Sequence, residues 1–67
     1  MNIILNNRPE TFNKDNLTIT DVLKLKNYTF KMMVIKVNGT LIRKPQYNEA
    51  KVEEGDNVQI LHLISGG

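Results

Sequence analysis

The sequence predicts an α+β fold, in which one helix packs across one face of a small mixed β-sheet. Residues 33–37 form an apolar, β-branched run that leads directly into Asn38-Gly39. That pair suits a two-residue hairpin turn, because both of its positions tolerate a positive φ. Thr18 and Asp21 have the spacing of a helix N-terminus, and residues 57–64 have the composition of a closing strand.

In the N-terminal half, residues 2–6 predict a first strand and residues 10–13 predict a second strand. Residues 7–9 predict the turn between them, since Pro9 restricts the residue before it to extended conformations. A helix then begins at Thr18, whose hydroxyl accepts a free backbone N–H of the first turn. Leu25 does not fit the apolar stripe of this helix, which predicts a short helix buried on more than one side.

In the C-terminal half, Thr40–Ile42 continues the hairpin until Pro45 ends the pairing. Residues 46–50 are expected to be irregular or to form one helical turn. Gly55-Asp56 predicts a second tight turn before the closing strand. The order strand, strand, helix, strand, short strand, strand predicts a sheet of four to five strands, within one domain that spans residues 1–67.

Composition excludes several classes of function. The chain has no cysteine, which excludes disulfides and thiolate chemistry, and nothing resembles a signal peptide or a membrane span. We therefore expect a soluble, cytoplasmic protein. The net charge is +2, and the loose basic group around Arg43, Lys44 and Lys51 is less dense than the aromatic-interleaved basic stripe that a nucleic-acid interface normally shows. We interpret the charges as an interspersed, solvated surface and not as a nucleic-acid interface.

The informative segment is Ser65-Gly66-Gly67 at the end of the sequence. Glycine has no Cβ, so a Gly-Gly tail can thread a narrow channel and can adopt backbone angles closed to other residues. Three extended residues span roughly 10 Å, which is enough to carry the Gly67 carboxylate into an active site of another protein. Activation by ATP would turn this carboxylate into an acyl adenylate that a sulfur donor can attack. A frayed C-terminus that happens to contain two glycines is the simpler alternative.

Several short motifs follow one another in a specific order along the chain: Val37-Asn38-Gly39, Arg43, Tyr47, Val52, residues 55–58, and residues 60–67. In this order and spacing the sequence resembles the thiamine-biosynthesis sulfur carrier protein (ThiS) family. The resemblance covers essentially the whole chain. It departs at Ser65, where some relatives have a third glycine, and it is weakest over residues 28–32 and at Lys44-Pro45.

The resemblance implies a ubiquitin-like β-grasp fold and a protein that is not itself an enzyme. Gly67 would be adenylated by an E1-like adenylyltransferase of the ThiF type and converted to a thiocarboxylate. Sulfur would come from a donor such as a cysteine desulfurase and would pass to a thiazole synthase of the ThiG type. ATP and magnesium would belong to the activating partner, and this chain would bind no cofactor and no metal.

Strand alternation predicts a docking surface as well as a core. In the closing strand, Val58 and Ile60 point to one side, whereas Leu61 and Leu63 point to the other. We expect Leu61 and Leu63 on the open face of the sheet, beside Ile4 and Val34. A contiguous apolar patch on so small a protein is typical of a partner surface.

Other functions remain open on the sequence alone. A related carrier for molybdopterin synthesis or tRNA thiolation would have the same fold and the same Gly-Gly end. A ubiquitin-like modifier would join Gly67 to lysines of target proteins. A passive interaction module would use no terminal chemistry, and a self-contained enzyme is disfavoured because no convergent set of catalytic residues is visible.

Overall fold

A computed structural model describes residues 1–29 and 31–63. This part of the chain contains seven strands, one α-helix and one 3₁₀ helix. In chain order they are β1 Asn2–Leu5, β2 Arg8–Thr11, β3 Leu17–Thr18, α1 Ile19–Leu25, β4 Met33–Val37, β5 Thr40–Ile42, the 3₁₀ helix Lys44–Gln46, β6 Lys51–Val52 and β7 Asn57–His62.

The main sheet has five strands in the order β2-β1-β7-β4-β5. β7 lies at its centre, parallel to β1 and antiparallel to β4. The two outer pairs, β1–β2 and β4–β5, are antiparallel hairpins, each formed by strands that are consecutive in the sequence. The predicted mixed sheet of four to five strands is therefore confirmed. Its central strand is β7, the predicted closing strand.

The first hairpin turns earlier than the sequence predicted. Asn6 and Asn7 occupy the turn, with φ values of 50° and 68°. Arg8 and Pro9 are therefore inside β2, where Pro9 lies opposite Ile4. The prediction of Pro9 as a turn residue is wrong because β2 is an edge strand, in which a residue without an N–H can be accommodated.

The helix begins as the sequence predicted. The Thr18 hydroxyl accepts the Asp21 N–H at 3.2 Å, and the Asp21 carboxylate accepts the Thr18 N–H at 3.0 Å. This reciprocal pair is a capping box. Hydrogen bonds to the Asp21 carboxylate from the backbone and from the side chain of Thr18 lower the pKa of Asp21. The expectation of burial on more than one side is wrong, since Leu25 is 48% exposed. One helix face packs on the sheet through Ile19 and Val22.

The core lies between α1 and the inner face of the sheet. Its ten buried hydrophobic residues are Ile3, Leu5, Phe12, Leu17, Ile19, Val22, Ile35, Val52, Val58 and Ile60. Val37 is partly buried and packs against this cluster. The predicted inward side of the closing strand is confirmed, because Val58 is fully buried and Ile60 is 4% exposed.

Two short strands were not predicted. β3 and β6 pair antiparallel through Leu17–Val52 and Thr18–Lys51, and so fasten the start of the helix to the segment before β7. The predicted closing strand is shorter in the structure, with β7 ending at His62. Residue 64, its predicted end, lies outside the described residues.

None of the helices in the described ranges is both long enough and apolar enough to cross a membrane.

Candidate functional site

The predicted reactive tail follows the central strand of the sheet. Ser65, Gly66 and Gly67 lie outside the described residues, so their predicted roles stay predictions. The last described residue, Leu63, donates its backbone N–H to the Met32 carbonyl at 3.0 Å. This bond continues the β7–β4 pairing one residue past the Met33–His62 pair. The chain therefore remains hydrogen-bonded to the segment that leads into β4 as far as Leu63.

The opposite end of β7 is fixed by hydrogen bonds between two turns. Asn38, in the turn between β4 and β5, donates its side-chain amide N–H to the Asp56 carboxylate at 3.0 Å. Its side-chain oxygen accepts the Asn57 N–H at 2.8 Å. Asp56 also accepts the Glu53 N–H at 2.8 Å, which closes the turn at Gly55. Asn38 therefore links the β4–β5 hairpin to the start of the central strand. The sequence predicted only its place in the turn and not this second role.

A second asparagine extends the contact between β1 and β7. The strand pairing itself covers only Ile4–Asn57 and Leu5–Val58. Asn6 then donates its N–H to the Val58 carbonyl at 2.9 Å, and its side-chain oxygen accepts the Ile60 N–H at 2.8 Å. A side chain thus replaces the backbone acceptor that β1 no longer supplies after its turn. The central strand is held on both sides as far as Ile60.

Leu61 and Leu63 lie on the outer face of the sheet, as their alternation with Ile60 predicts. They are 54% and 43% exposed, and Val34 lies directly opposite Leu61 in the β4–β7 register. These three residues therefore form a continuous apolar surface at the C-terminal end of β7. Their role in binding a partner stays a prediction.

Ile4 shares this face but does not join the other three residues. It lies opposite Asn57, four positions before Leu61 on β7, or roughly 13 Å along the strand. Gln59 lies between Asn57 and Leu61 on the same face. The expectation that Ile4 lies beside Leu61 and Leu63 is therefore wrong, because the parallel register of β1 places it at the other end of the sheet.

Two further residues enlarge the apolar surface. Leu41 is 46% exposed and pairs with Lys36 on the outer face of the β4–β5 hairpin, and Met32 is 51% exposed beside Leu63. We call the surface formed by Met32, Val34, Leu41, Leu61 and Leu63 the outer patch. The register of the Asn38-Gly39 hairpin could have identified Leu41, because it sends Val34, Lys36 and Leu41 to one face. Met32 precedes β4, and the strand pattern gave no signal for it.

Among residues 1–29 and 31–63, no group of three histidine or acidic side chains is placed to hold a metal ion. Asp56 is used within the turn network described above, and His62 is exposed. What the described residues provide is therefore a central strand hydrogen-bonded on both sides, with a hydrophobic surface at its C-terminal end. Such an arrangement suits docking of a partner protein.

Comparison with known proteins assigns the family. The model of the ThiS family matches residues 3–67. This chain belongs to the ThiS family. Among curated proteins, the sulfur carrier protein ThiS of Bacillus subtilis (strain 168) is 30% identical over 63 residues, which cover 94% of this chain and 96% of that protein.

Solved structures of a ThiS protein have the same fold. The crystal structure of the thiamine biosynthesis protein ThiS from Geobacter metallireducens matches with a TM-score of 0.86 at 28% identity, covering 100% of both chains. A solution NMR structure of a thiamine biosynthesis protein from the same organism matches with a TM-score of 0.78 at 28% identity, over 100% of this chain and 88% of that one. These ThiS-family neighbours are ubiquitin-like β-grasp proteins, so the predicted fold class is confirmed.

Proposed function

We propose that this protein is a sulfur carrier of thiamine biosynthesis that works through the carboxylate of Gly67. The observation that carries the proposal is the match of the ThiS family model from residue 3 to residue 67, which includes the Ser65-Gly66-Gly67 tail. The described geometry supports it, because β7, the central strand of the main sheet, is the last described strand before these residues in the sequence. The chain itself acts as a carrier and a co-substrate, and the chemical steps belong to its partner enzymes.

The proposed cycle has two steps at the carbonyl carbon of Gly67. A carboxylate oxygen first attacks the α-phosphorus of ATP and releases pyrophosphate, which gives a Gly67 acyl adenylate. A sulfur nucleophile then attacks the carbonyl carbon, and AMP leaves with the electron pair of the broken C–O bond. When the donor is a persulfide, its terminal sulfur forms the new C–S bond and the product is an acyl disulfide. A second thiol, of the donor enzyme or in solution, then attacks the donor's own sulfur, forms a disulfide with it and releases a thiocarboxylate on Gly67. Glycine suits both steps because it has no side chain to shield the carbonyl.

The partners follow from this chemistry. We infer an E1-like adenylyltransferase of the ThiF type that binds ATP and magnesium, a sulfur donor such as a cysteine desulfurase, and a thiazole synthase of the ThiG type as acceptor. The cycle requires no cofactor or metal bound to this chain. Because the first step consumes ATP, we also propose a cytoplasmic location.

We further propose that partners dock on the outer patch. Leu61 and Leu63 lie within four residues of Ser65 in the sequence, so an enzyme that receives the tail in its active site also covers these side chains. Exposed leucines on a protein of this size are well suited to burial in a partner, where each contributes in proportion to the apolar area removed from water.

The test is the intact mass of the protein after incubation with the adenylating enzyme, ATP, magnesium and a sulfur donor. We expect a gain of about 16 Da, because sulfur replaces one oxygen at Gly67. Deletion of Gly67 should abolish the gain without changing the circular dichroism spectrum or the unfolding midpoint, because the Gly66 carboxylate that then ends the chain lies one residue short of the reacting position. Gly67→Ala keeps the length of the tail and tests whether a side chain at the reacting residue is tolerated. Unchanged sulfur transfer by the truncated protein would contradict the proposal.

The alternatives give other products in the same reaction. An isopeptide between Gly67 and a lysine of another protein would identify a modifier. A related carrier would be identified if thiazole synthase does not accept sulfur from the thiocarboxylate but a molybdopterin synthase or a tRNA-thiolating enzyme does. No adenylate with a competent enzyme would favour a passive module.

A further inference from the structure

The β4–β5 hairpin and its flanks carry only positive charges. Residues 31–47 contain Lys31, Lys36, Arg43 and Lys44 but no aspartate or glutamate. All seven acidic residues lie at or before Asp21 or at or after Glu49. The expectation of interspersed charge is therefore wrong for this side of the molecule, where the hairpin adds positive charge next to the outer patch.

Three of these cations border a groove at the open end of the hairpin. The groove has a volume of ≈ 590 Å³, and the apolar side chains of Met32, Leu41 and Leu63 line it together with Lys31, Arg43 and Lys44. The loose basic group in the sequence is divided by the fold. Lys51 lines a different depression, beside Asp15, Glu53 and Glu54.

The three cations bordering the groove are not neutralised by described residues. Within residues 1–29 and 31–63 the salt bridge is Lys26–Glu10 at 2.7 Å, which joins the residue after α1 to β2 and lies away from the groove. Lys31, Arg43 and Lys44 are all exposed. Positive charges grouped without counter-charges attract an anionic surface and accelerate its approach.

The mixture of apolar lining and positive border indicates the class of ligand. A single-stranded nucleic acid would need aromatic side chains on which its bases stack, and among the described groove residues Tyr47 alone is aromatic. Protein interfaces combine an apolar centre with a charged rim, and the groove has this composition. Charge complementarity therefore favours an acidic protein segment that also carries an apolar side chain.

We propose that the groove bordered by Lys31, Arg43 and Lys44 binds an acidic segment of the adenylating enzyme, with an apolar side chain inserted between Met32, Leu41 and Leu63. This inference rests on the proposed function and specifies how that partner recognises the carrier. Leu63 belongs to both the groove and the residue pair that precedes the tail. An enzyme that holds the tail and covers the outer patch therefore also contacts the groove.

The test compares two double charge reversals of matched composition. Arg43→Glu/Lys44→Glu removes positive charge from the groove, and Arg8→Glu/Lys14→Glu makes the same change in net charge at exposed positions on β2 and before α1. The assay is carrier-dependent release of pyrophosphate by the adenylating enzyme at increasing carrier concentration. Unfolding midpoints of both variants are measured to verify that each domain is folded.

We expect Arg43→Glu/Lys44→Glu to raise KM for the carrier on the order of tenfold at low ionic strength, with kcat nearly unchanged, because border charges act mainly on association. The difference should shrink as salt approaches 1 M, where the Debye length is about 3 Å. Arg8→Glu/Lys14→Glu should leave KM within about twofold of wild type, as expected for charges far from the interface.

The outcomes separate this inference from the proposed function. If wild-type carrier is never adenylated, the proposed function fails first. If wild type is adenylated but the groove variant has an unchanged KM, or if both variants raise KM equally, the groove does not bind the enzyme. Binding of a labelled single-stranded oligonucleotide that the groove variant loses, with adenylation unaffected, would overturn the inference in favour of nucleic acid.

Discussion

Leu61→Asp tests whether Leu61 faces the outer patch, because its neighbour Ile60 in the same strand faces the core. Leu61 is 54% exposed, so folding removes about half of its surface from water, and losing that burial costs about 1 kcal/mol. Aspartate is also disfavoured in strands, which adds up to about 1 kcal/mol. A domain of this length has a free energy of unfolding of about 3–10 kcal/mol. We therefore expect Leu61→Asp to fold, with a stability loss of about 1–2 kcal/mol.

The control is Ile60→Ala, one residue earlier and on the opposite face. Ile60 is 4% exposed in the core, so its truncation should cost about 2–5 kcal/mol through lost burial and the cavity left behind. Urea unfolding followed by circular dichroism distinguishes the two. With an m value of about 1 kcal/mol/M, Leu61→Asp lowers the midpoint by about 1–2 M and Ile60→Ala by about 2–5 M.

The binding assay gives the opposite ranking. Leu61→Asp places a charge in the apolar surface that precedes the tail, so KM for the carrier in the adenylation assay should rise by about tenfold or more. Ile60→Ala should leave KM near wild type wherever the variant is folded. A Leu61→Asp protein that unfolds like a core variant, or that is adenylated normally, would refute the assignment of this face.

Two further predictions concern stability. Asp21→Asn should be less stable than wild type at neutral pH, since the hydrogen bonds from Thr18 that lower the Asp21 pKa favour the charged carboxylate. The difference should vanish as pH falls through that lowered pKa, in urea titrations that extend below about pH 4, and a pH-independent difference would contradict it. Asn38→Asp should cost about 1–3 kcal/mol in urea unfolding, because it replaces the amide that donates to Asp56 by a second carboxylate. The same change at exposed Asn13 should be nearly neutral, and equal losses at both sites would refute the argument.

The features that the sequence predicted are those with local causes. The turn at Asn38-Gly39 and the helix start at Thr18 each depend on side chains within a few residues of one another, and both were placed correctly. The inward side of β7 was also predictable, since alternation needs no knowledge of the neighbouring strands.

The features that were missed depend on contacts between distant segments. β3 and β6 are two residues long and therefore have no periodicity to detect. The position of Pro9 inside β2 depends on that strand being an edge, and the separation of Ile4 from Leu61 depends on the parallel register of β1 and β7. At the candidate site, the direction of Leu61 could therefore be predicted, whereas its neighbours Leu41 and Met32 required the strand order and the register.

The central position of β7 also has a consequence for the order of folding. The hairpins β1–β2 and β4–β5 can each close locally, but β7 is what joins them in the main sheet. The bond from Ile60 to Asn6 spans 54 residues, so this joining step costs more loop-closure entropy than the closing of either hairpin. The sheet is then completed by the same strand that leads to the chain end. A partner that recognises the outer patch therefore selects molecules whose assembly has already finished, and unfinished chains would not compete for the activating enzyme.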